Sequence, residues 1–290
     1  MINACTISDY GFLAKGLTLY ESLLNHTEDI VLHYLCIDDK SFNTLSKYKS
    51  KSLQVYQDVR LADARLESLK IKDIEYYRYA LASYFTHYLM VNDIGDINYI
   101  DSDIYFYDDF TIILNEIAEK EVGVFRHRQT PMNITNANGL FNVGVVHFKQ
   151  TQTGRDALEW WADAVLHRRY PHLATCGDQK YLDAFLNLPR EKLFIDGNIG
   201  HGAPWLWQLY DYTDFFKDGS IIWDNNKQKL LFSHFSNFNY NLKSDSFVPA
   251  QRHAPFTPMW MYKEIQELKT IHEAYFMQLK NTINKYGLEE

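Results

Sequence analysis

The 290-residue chain predicts an α/β fold: a mixed, mainly parallel sheet flanked by helices, with a helical extension at the C-terminus. Three observations carry this. Short β-branched and aromatic runs alternate with stretches of helical period through the first half, the spacing of strand, crossover helix and parallel strand. At 46% hydrophobic and 23% charged residues, the composition is that of a globular chain able to bury a sizeable core. Near the C-terminus, apolar residues fall at 265, 268, 271, 275, 276, 279 and 283, which is helical spacing.

The elements follow in order. "INACTIS" (2–8) reads as a buried strand and "GFLAKGLTLYESLLNH" (11–26) as the helix after it. "IVLHYLCID" (30–38) is the second strand, and "SFNTLSKY" begins a short helix for which Ser41 is the expected cap. "SLQVYQ" (52–57) is a third strand, "KDIEYYRYALASYFTHYLM" (72–90) a long helix without a breaker, and "DINYID" (96–101) a fourth strand. Beyond it, "EVGVFRH" (121–127) and "FNVGVVHF" (141–148) are strand-like, and "TGRDALEWWADAVLHRR" (153–169) is helical. "CGDQKYLDAFLNL" (176–188) reads as a short helix with Asp178 in its first turn, where the dipole favours an anion. "KLLFSHF" (229–235) is a late strand. The last helix, within Pro258 to Tyr286, mixes Lys and Glu on its polar face and is expected to dock on the main body. Residues 1–240 are thus expected to form the sheet domain and 241–290 the extension.

Composition narrows the function. A formal charge of -8 without a long Lys/Arg run disfavours nucleic acid, while leaving room for one nucleotide held by a metal ion and a few local cations. Cys5, Cys36 and Cys176 have no metal-ligand spacing and suit a reducing compartment. No leader-like start and no run of about 18 apolar residues is seen, so the expectation is a cytoplasmic chain. Asn25-His26-Thr27 and Asn133-Ile134-Thr135 are then chance sequons. Aromatic residues at 16% supply either core or a wall on which sugars and bases can lie.

The stretch "NYIDSDIYFYD" (98–108) sets two acids, Asp101 and Asp103, at the carboxyl end of a strand, where ligands gather in open α/β sheets. Strand pleating would send residues i and i+2 to one side, so both carboxylates could address one point. Removing them from water demands a positive partner, and a hard divalent ion such as Mg²⁺ or Mn²⁺ would in turn attract a diphosphate. An EF-hand is excluded, because Phe106 stands where the loop needs Gly. Gly11 and Gly16 have P-loop spacing, but Leu17 replaces the required Lys.

Six stretches, "NACTISDYGF", "EYYRYALASYF", "NYIDSDIYF", "FNVGVVHF", "GDQKYLD" and "LFSHF", resemble in order and spacing a GT-A (Rossmann-like) nucleotide-sugar glycosyltransferase. They are most similar to the retaining family 8 type, which includes bacterial lipopolysaccharide galactosyltransferases and glycogenin. The resemblance implies that Asp101, Asp103 and His234 bind Mn²⁺ or Mg²⁺, the imidazole favouring Mn²⁺. It implies that Thr6, Asp9, Tyr10, Arg78 and Ser102 hold the nucleotide, with the Tyr10 ring facing the base. Asn142 and Gly144 would lie near the donor sugar, and Asp178 and Gln179 would be the catalytic acid–amide pair beside the anomeric carbon. The family commonly follows its metal-binding His with a Gly and a diphosphate-binding Lys, whereas "FSNFNYNLK" follows here, leaving Lys243 to make that contact from a longer loop. In "GNIGHGAPWLWQLY" (197–210), His201 and Trp205 are candidates for a sugar-facing loop or for structural packing. Arg126, with His127 and Arg128, would face the donor sugar or an acidic acceptor, or form a solvated basic loop.

The expected function is metal-dependent transfer of a sugar from a nucleotide diphosphate sugar, UDP-linked, to a glycan or glycolipid acceptor. Retention, bacterial surface polysaccharide synthesis, and a place at the inner face of the membrane through the acceptor complete the expectation. A sugar nucleotidyltransferase would need a Gly-rich, Arg-containing N-terminal loop, which "SDYGFLAKGL" is not. A non-catalytic carbohydrate or nucleotide-sugar binder is opposed by the intact Asp101, Asp103 and His234. A glycoside hydrolase needs its two carboxylates roughly 5–10 Å apart on opposite sides of the sugar.

Overall fold

The computed structural model describes residues 1–128, 138–206, 209–250 and 265–289, with Arg60 described by its backbone alone. Seven strands form the main sheet: β1 (Ile2–Ser8), β2 (Ile30–Cys36), β3 (Leu53–Gln57), β4 (Ile97–Ile100), β6 (Val122–Arg126), β7 (Phe141–Phe148) and β8 (Leu193–Ile195). Their order is β3-β2-β1-β4-β7-β6-β8. The first four run parallel, β7 is antiparallel to both β4 and β6, and β8 is parallel to β6. This is the mixed, mainly parallel arrangement that the alternating periodicities predict.

Helices cover both faces, which explains why β2 and β7 are buried at every position. On one face α1 (Leu13–His26) contributes Leu13, Leu17 and Leu23 to a core shared with Phe106, Phe110 and Ile113. On the other, α4 (Ile74–Val91) and α6 (Gln152–Leu166) bring Leu81, Phe85, Trp161 and Val165 together with Tyr181. The largest fully buried side chains are all aromatic, so much of the aromatic content is core.

Two local expectations are corrected. The helix after β2, α2 (Asp39–Leu45), is capped by Asp38, whose carboxylate accepts the Ser41 N–H at 2.7 Å. Asp38 has the extended backbone a cap requires, and Ser41 is already inside the helix. A further helix, α3 (Ala64–Lys72), escaped the sequence reading because Leu66 is its one buried residue and its apolar period is faint.

A second, smaller sheet closes the site. β5 (Ile104–Phe106), β10 (Ser220–Trp223) and β11 (Asn226–His234) are antiparallel in the order β10-β11-β5, and β9 (Ile199–Gly202) pairs parallel with β11. Two short helices, α5 (Thr111–Ile117) and α7 (Phe215–Asp218), and a hairpin of β12 (Asn239–Asn241) with β13 (Ser246–Val248) complete the set. The C-terminal helix, α8 (Gln266–Tyr286), docks on the body as its period predicts. Its Tyr275 stacks on Phe235 at 3.6 Å, its Thr282 hydroxyl lies 3.1 Å from that of Thr18, and Lys285 pairs with Glu21 at 2.7 Å. The portion expected from Pro258 to Glu264, and the Asn133 sequon, lie outside the described residues. Among the described residues no helix is long and apolar enough to cross a membrane.

Candidate metal centre

The acid pair sits where the two sheets meet. β4 ends at Ile100, the Asp101 N–H donates to the Gly144 carbonyl at 2.9 Å, and the chain then turns, Ile104 N–H to Asp101 C=O at 3.1 Å. The two carboxylates therefore converge across a turn between sheets, rather than through the pleat of one strand. β11 runs antiparallel to β5 with His234 opposite Ile104, and the Phe235 N–H donates to the Asp103 carbonyl at 2.8 Å. That pairing carries the imidazole to the acids across 131 residues of sequence, its Nε2 3.0 Å from Asp103 Oδ1 and 3.7 Å from Asp101 Oδ2. One ligand atom from each of Asp101, Asp103 and His234 lies within 4.8 Å of the others.

The ring is oriented from behind. His234 Nδ1 lies 3.1 Å from Asn142 Oδ1, which also accepts the Gly144 N–H at 3.0 Å. The Asn142 amide donates to Gln179 Oε1 at 2.9 Å, and Gln179 donates onward to the Asn138 carbonyl at 2.7 Å. This network assigns Oδ1 as acceptor, places the His234 proton on Nδ1 and turns Nε2 toward the carboxylates. A β-bulge between β6 and β7 shifts the register at Val124/Phe125 and swings residues 143–145 toward β4. Glycine is required there, because a Cβ on Gly144 would stand 2.6 Å from Asn142 Oδ1 and 3.0 Å from His234 Nδ1.

The electrostatics of the site favour a cation. Burial raises the Asp101 carboxyl, even though His234 opposes it. Burial pushes Asp103 up too, but His234, by charge and hydrogen bond, and Lys15 outweigh it and hold Asp103 at about 2. Burial works against a charged His234, yet Asp103 and Asp101 raise its pKa above the ordinary value. Asp178 is buried, and burial followed by the Asp101 charge lifts its carboxyl well above the usual range. Three acids and one imidazole in one partly dry corner suit a divalent ion with oxygen and nitrogen ligands. Tyr99, not anticipated from sequence, donates its hydroxyl to Asp101 Oδ1 at 2.8 Å. Its place two residues before an acid in a strand was the available signal.

The other sequence-predicted residues divide. Asp178 stands at the N-terminus of a 3₁₀ helix (Gln179–Asn187), as its expected helix-terminal place requires, and the nearby Asp101 charge also acts on its carboxyl. Thr6 is fully buried inside β1, and its hydroxyl meets no hydrogen-bond partner among the described residues. Asp9 accepts the Phe12 N–H at 3.2 Å and pairs with Arg78, which places both at the mouth of the loop after β1. The Tyr10 ring has Lys40 Nζ 3.7 Å from its centroid, and its hydroxyl donates to the Glu289 carbonyl at 3.3 Å. Beside it lies a cavity of about 150 Å³ lined by Gly11 and Ala14 on one side and Tyr240, Ile283 and Leu288 on the other. Ser102 is half-buried in the turn between the two acids.

Arg126 is half-exposed at the end of β6, its Nε 3.7 Å from Asp196. The basic loop that follows is not solvated. Arg128 is fully buried, bonded to Asp196 at 3.2 Å, Tyr210 at 2.9 Å and the Ile199 carbonyl at 3.0 Å, with Trp223 3.9 Å beneath it. His127 stacks on Trp205 at 4.4 Å, and the Trp205 ring meets His234 edge-on at 5.7 Å. His201 stacks on Phe232 in the interior. Residues 207–208 of that loop lie outside the described set. Lys243 is exposed in the turn joining β12 and β13.

No protein-family model matches the chain. It is 28% identical over 251 residues to the uncharacterized protein YfnF of Bacillus subtilis (strain 168), spanning 81% of this chain and 80% of that one. It is 24% identical over 293 residues to the uncharacterized protein YfnD of the same organism, spanning 97% and 89%. Among solved structures it is similar to mouse xyloside xylosyltransferase 1 in its apo form (TM-score 0.53, 15% identity, 81% of this chain and 98% of that one). It is also similar to an active-site mutant of LgtC (TM-score 0.54, 12% identity, 81% and 88%). The galactosyltransferase LgtC in complex with donor and acceptor sugar analogues gives TM-score 0.52 at 14% identity over 81% and 87%. Likeness at these identities shows the fold, which is GT-A.

Proposed function

We propose that the chain is a retaining glycosyltransferase of the family 8 type, moving a sugar from a UDP-linked donor to a glycan or glycolipid acceptor. The observation that carries this reading is the convergence of Asp101, Asp103 and His234 at the carboxyl end of β4 in a GT-A fold. A bound Mn²⁺, or Mg²⁺, held by these three residues would supply Lewis-acid neutralisation of the departing diphosphate. The rest falls to the protein. Asn142 fixes the imidazole, and the loop after β1, with Asp9, Tyr10 and Arg78, receives the nucleotide. Asp178 and Gln179 are assigned to the sugar. Retention requires departure and attack on one face of the ring, and Asp178 is the acid assigned to that face, with the Gln179 amide held in place by Asn142 and Asn138. In this reading residues 1–240 hold the donor and residues 241–290 are an appended extension. The pathway is bacterial surface polysaccharide synthesis at the cytoplasmic face of the membrane.

Calorimetry with UDP, with and without Mn²⁺, tests the proposal. Metal-dependent binding in the wild type, lost in Asp103→Ala, supports it; a wild type that binds no nucleoside diphosphate with either metal removes it. A donor screen reading nucleotide release then identifies the sugar.

A further inference from the structure

Two cations are buried among the described residues, Arg128 and Lys15. Arg128 is answered by Asp196 and three further hydrogen-bond acceptors. Lys15 is 6% exposed, and its ammonium makes no hydrogen bond or ion pair with any described residue, only a contact 4.5 Å from the Phe12 ring centroid. The stem is buried while the ammonium at its tip keeps contact with solvent, so a cation without a partner among the described residues is held where an anion can reach it.

The position excludes a role in helix stability. Lys15 stands in the first turn of α1, a 14-residue helix, where a positive charge opposes the helix dipole. α1 continues from a 3₁₀ turn (Tyr10–Phe12) whose first and last N–H groups are already met, Tyr10 donating to Asp38 Oδ2 at 2.7 Å and Phe12 to Asp9 Oδ1 at 3.2 Å, so the ammonium and not the helix terminus is the group left for an anion. Its charged surroundings fix the direction. α1 packs on β5, Leu13 and Leu17 sharing a core with Ile104 and Phe106, which brings the start of the helix beside the metal centre, where the charges of Lys15 and Asp103 act on each other without a bond between them. Tyr10, Gly11 and Ala14, the residues leading up to Lys15, line the cavity described above. The other cations near the loop are engaged, Arg78 by Asp9 and Lys40 by the Tyr10 ring, while Lys243 is exposed in a hairpin turn.

We propose that Lys15 forms the anion-binding half of the site and takes the diphosphate of a nucleoside diphosphate ligand. This rests on the functional reading above. It assigns a charge-assisted contact to a residue outside the motifs quoted above, and it explains how the chain manages with "FSNFNYNLK" where a Gly and a diphosphate-binding Lys are expected after His234.

The test is calorimetry on the full chain at saturating Mn²⁺, with UDP and, to remove any dependence on the base, inorganic pyrophosphate. Lys15→Met keeps the aliphatic stem and removes the charge. Both ligands should bind the variant on the order of 10- to 100-fold more weakly, the range for a hydrogen bond to a charged group. Mn²⁺ alone should bind equally or more tightly, since a like charge has gone, and the melting temperature should not fall. Unchanged UDP and pyrophosphate affinity in Lys15→Met, beside a wild type that binds both, overturns this inference and leaves the glycosyltransferase reading standing. A wild type that binds neither ligand overturns both. If Lys15→Met and Lys15→Gln both fail to fold, Lys15 serves the fold as a counter-ion and the proposal is wrong.

Discussion

Gly144→Ala should disable the histidine arm of the metal centre without touching a ligand. The new Cβ would lie 2.6 Å from Asn142 Oδ1, 3.0 Å from His234 Nδ1 and 3.1 Å from Ile104 Cδ1, closer than such a carbon tolerates. Ile104 is fully buried, so the Asn142 amide has to retreat by several tenths of an ångström. That oxygen accepts from both His234 and Gly144, so two neutral hydrogen bonds weaken together, each contributing about 1 kcal/mol. Gly144 has no left-handed backbone, so alanine recovers about 0.5–1 kcal/mol of chain entropy. The net loss of stability should be roughly 1–2 kcal/mol, a few degrees in melting temperature. Metal affinity should suffer more. A ligand imidazole that loses its orienting partner typically costs about 10- to 100-fold in affinity. Mn²⁺ titration followed by electron paramagnetic resonance, alongside thermal melts, reads both quantities. If Mn²⁺ affinity stays within about twofold of wild type, a threshold well below the orienting effect, the account of Asn142 as the ring's anchor is refuted.

Other consequences are measurable. Asp196→Ala should destabilise by about 3–5 kcal/mol in urea, because Arg128 would be left buried without its counter-ion; a loss below about 1 kcal/mol would place the charge balance elsewhere. Burial holds His33, His147 and His272 near 4, below the usual value of 6.5. Because these folded-state values are depressed, their contribution is complete above about pH 6.5 and lost as pH falls through about 4, so unfolding takes up protons in that window. Melting temperature in metal-free buffer should fall across it, and the C2 protons of three histidines should stay in the neutral form at pH 5.5 by NMR; titration of all rings near 6.5 contradicts this. Saturating Mn²⁺ should raise the melting temperature, as about 2.7 kcal/mol follows at 100 times Kd, with chelator reversing it. Binding should also release protons, since His234 must be neutral to act as a ligand; heats of binding identical in buffers of different ionisation enthalpy would argue against that.

The strands and helices of the parallel half were legible because their apolar periods are unbroken and their burial is local. Ile2–Ser8, Ile30–Cys36 and Ile74–Val91 are read within a residue or two from spacing alone. The acid pair was legible as a pair, and its partnership with His234 was implied by the family resemblance. Its geometry was not, since a turn between two sheets does the work assigned to a strand pleat, and that depends on β11 returning from the far end of the chain. The same limit explains Ser41, where a neighbouring acid competes for one cap, and Arg128, whose partners lie 68 to 100 residues away.

What the sequence hides most completely is pairing by absence. A lysine in "GFLAKGL" looks like any surface lysine, because nothing local reports that it is buried or that no acid comes to meet it. The two charge deficits then share one cause. Acids raised by burial call for a cation, and an unpaired ammonium beside them calls for an anion. Neither demand can be met by pairing the two within the protein, because Lys15 borders Asp103 without bonding to it. A metal ion carrying a diphosphate meets both at once, whereas a metal alone would leave Lys15 facing a second positive charge and a lone anion would deepen the repulsion among the acids. Metal and diphosphate should therefore bind with positive coupling, each tightening the other, and a thermodynamic cycle showing independent binding would break the link between the two halves of the site.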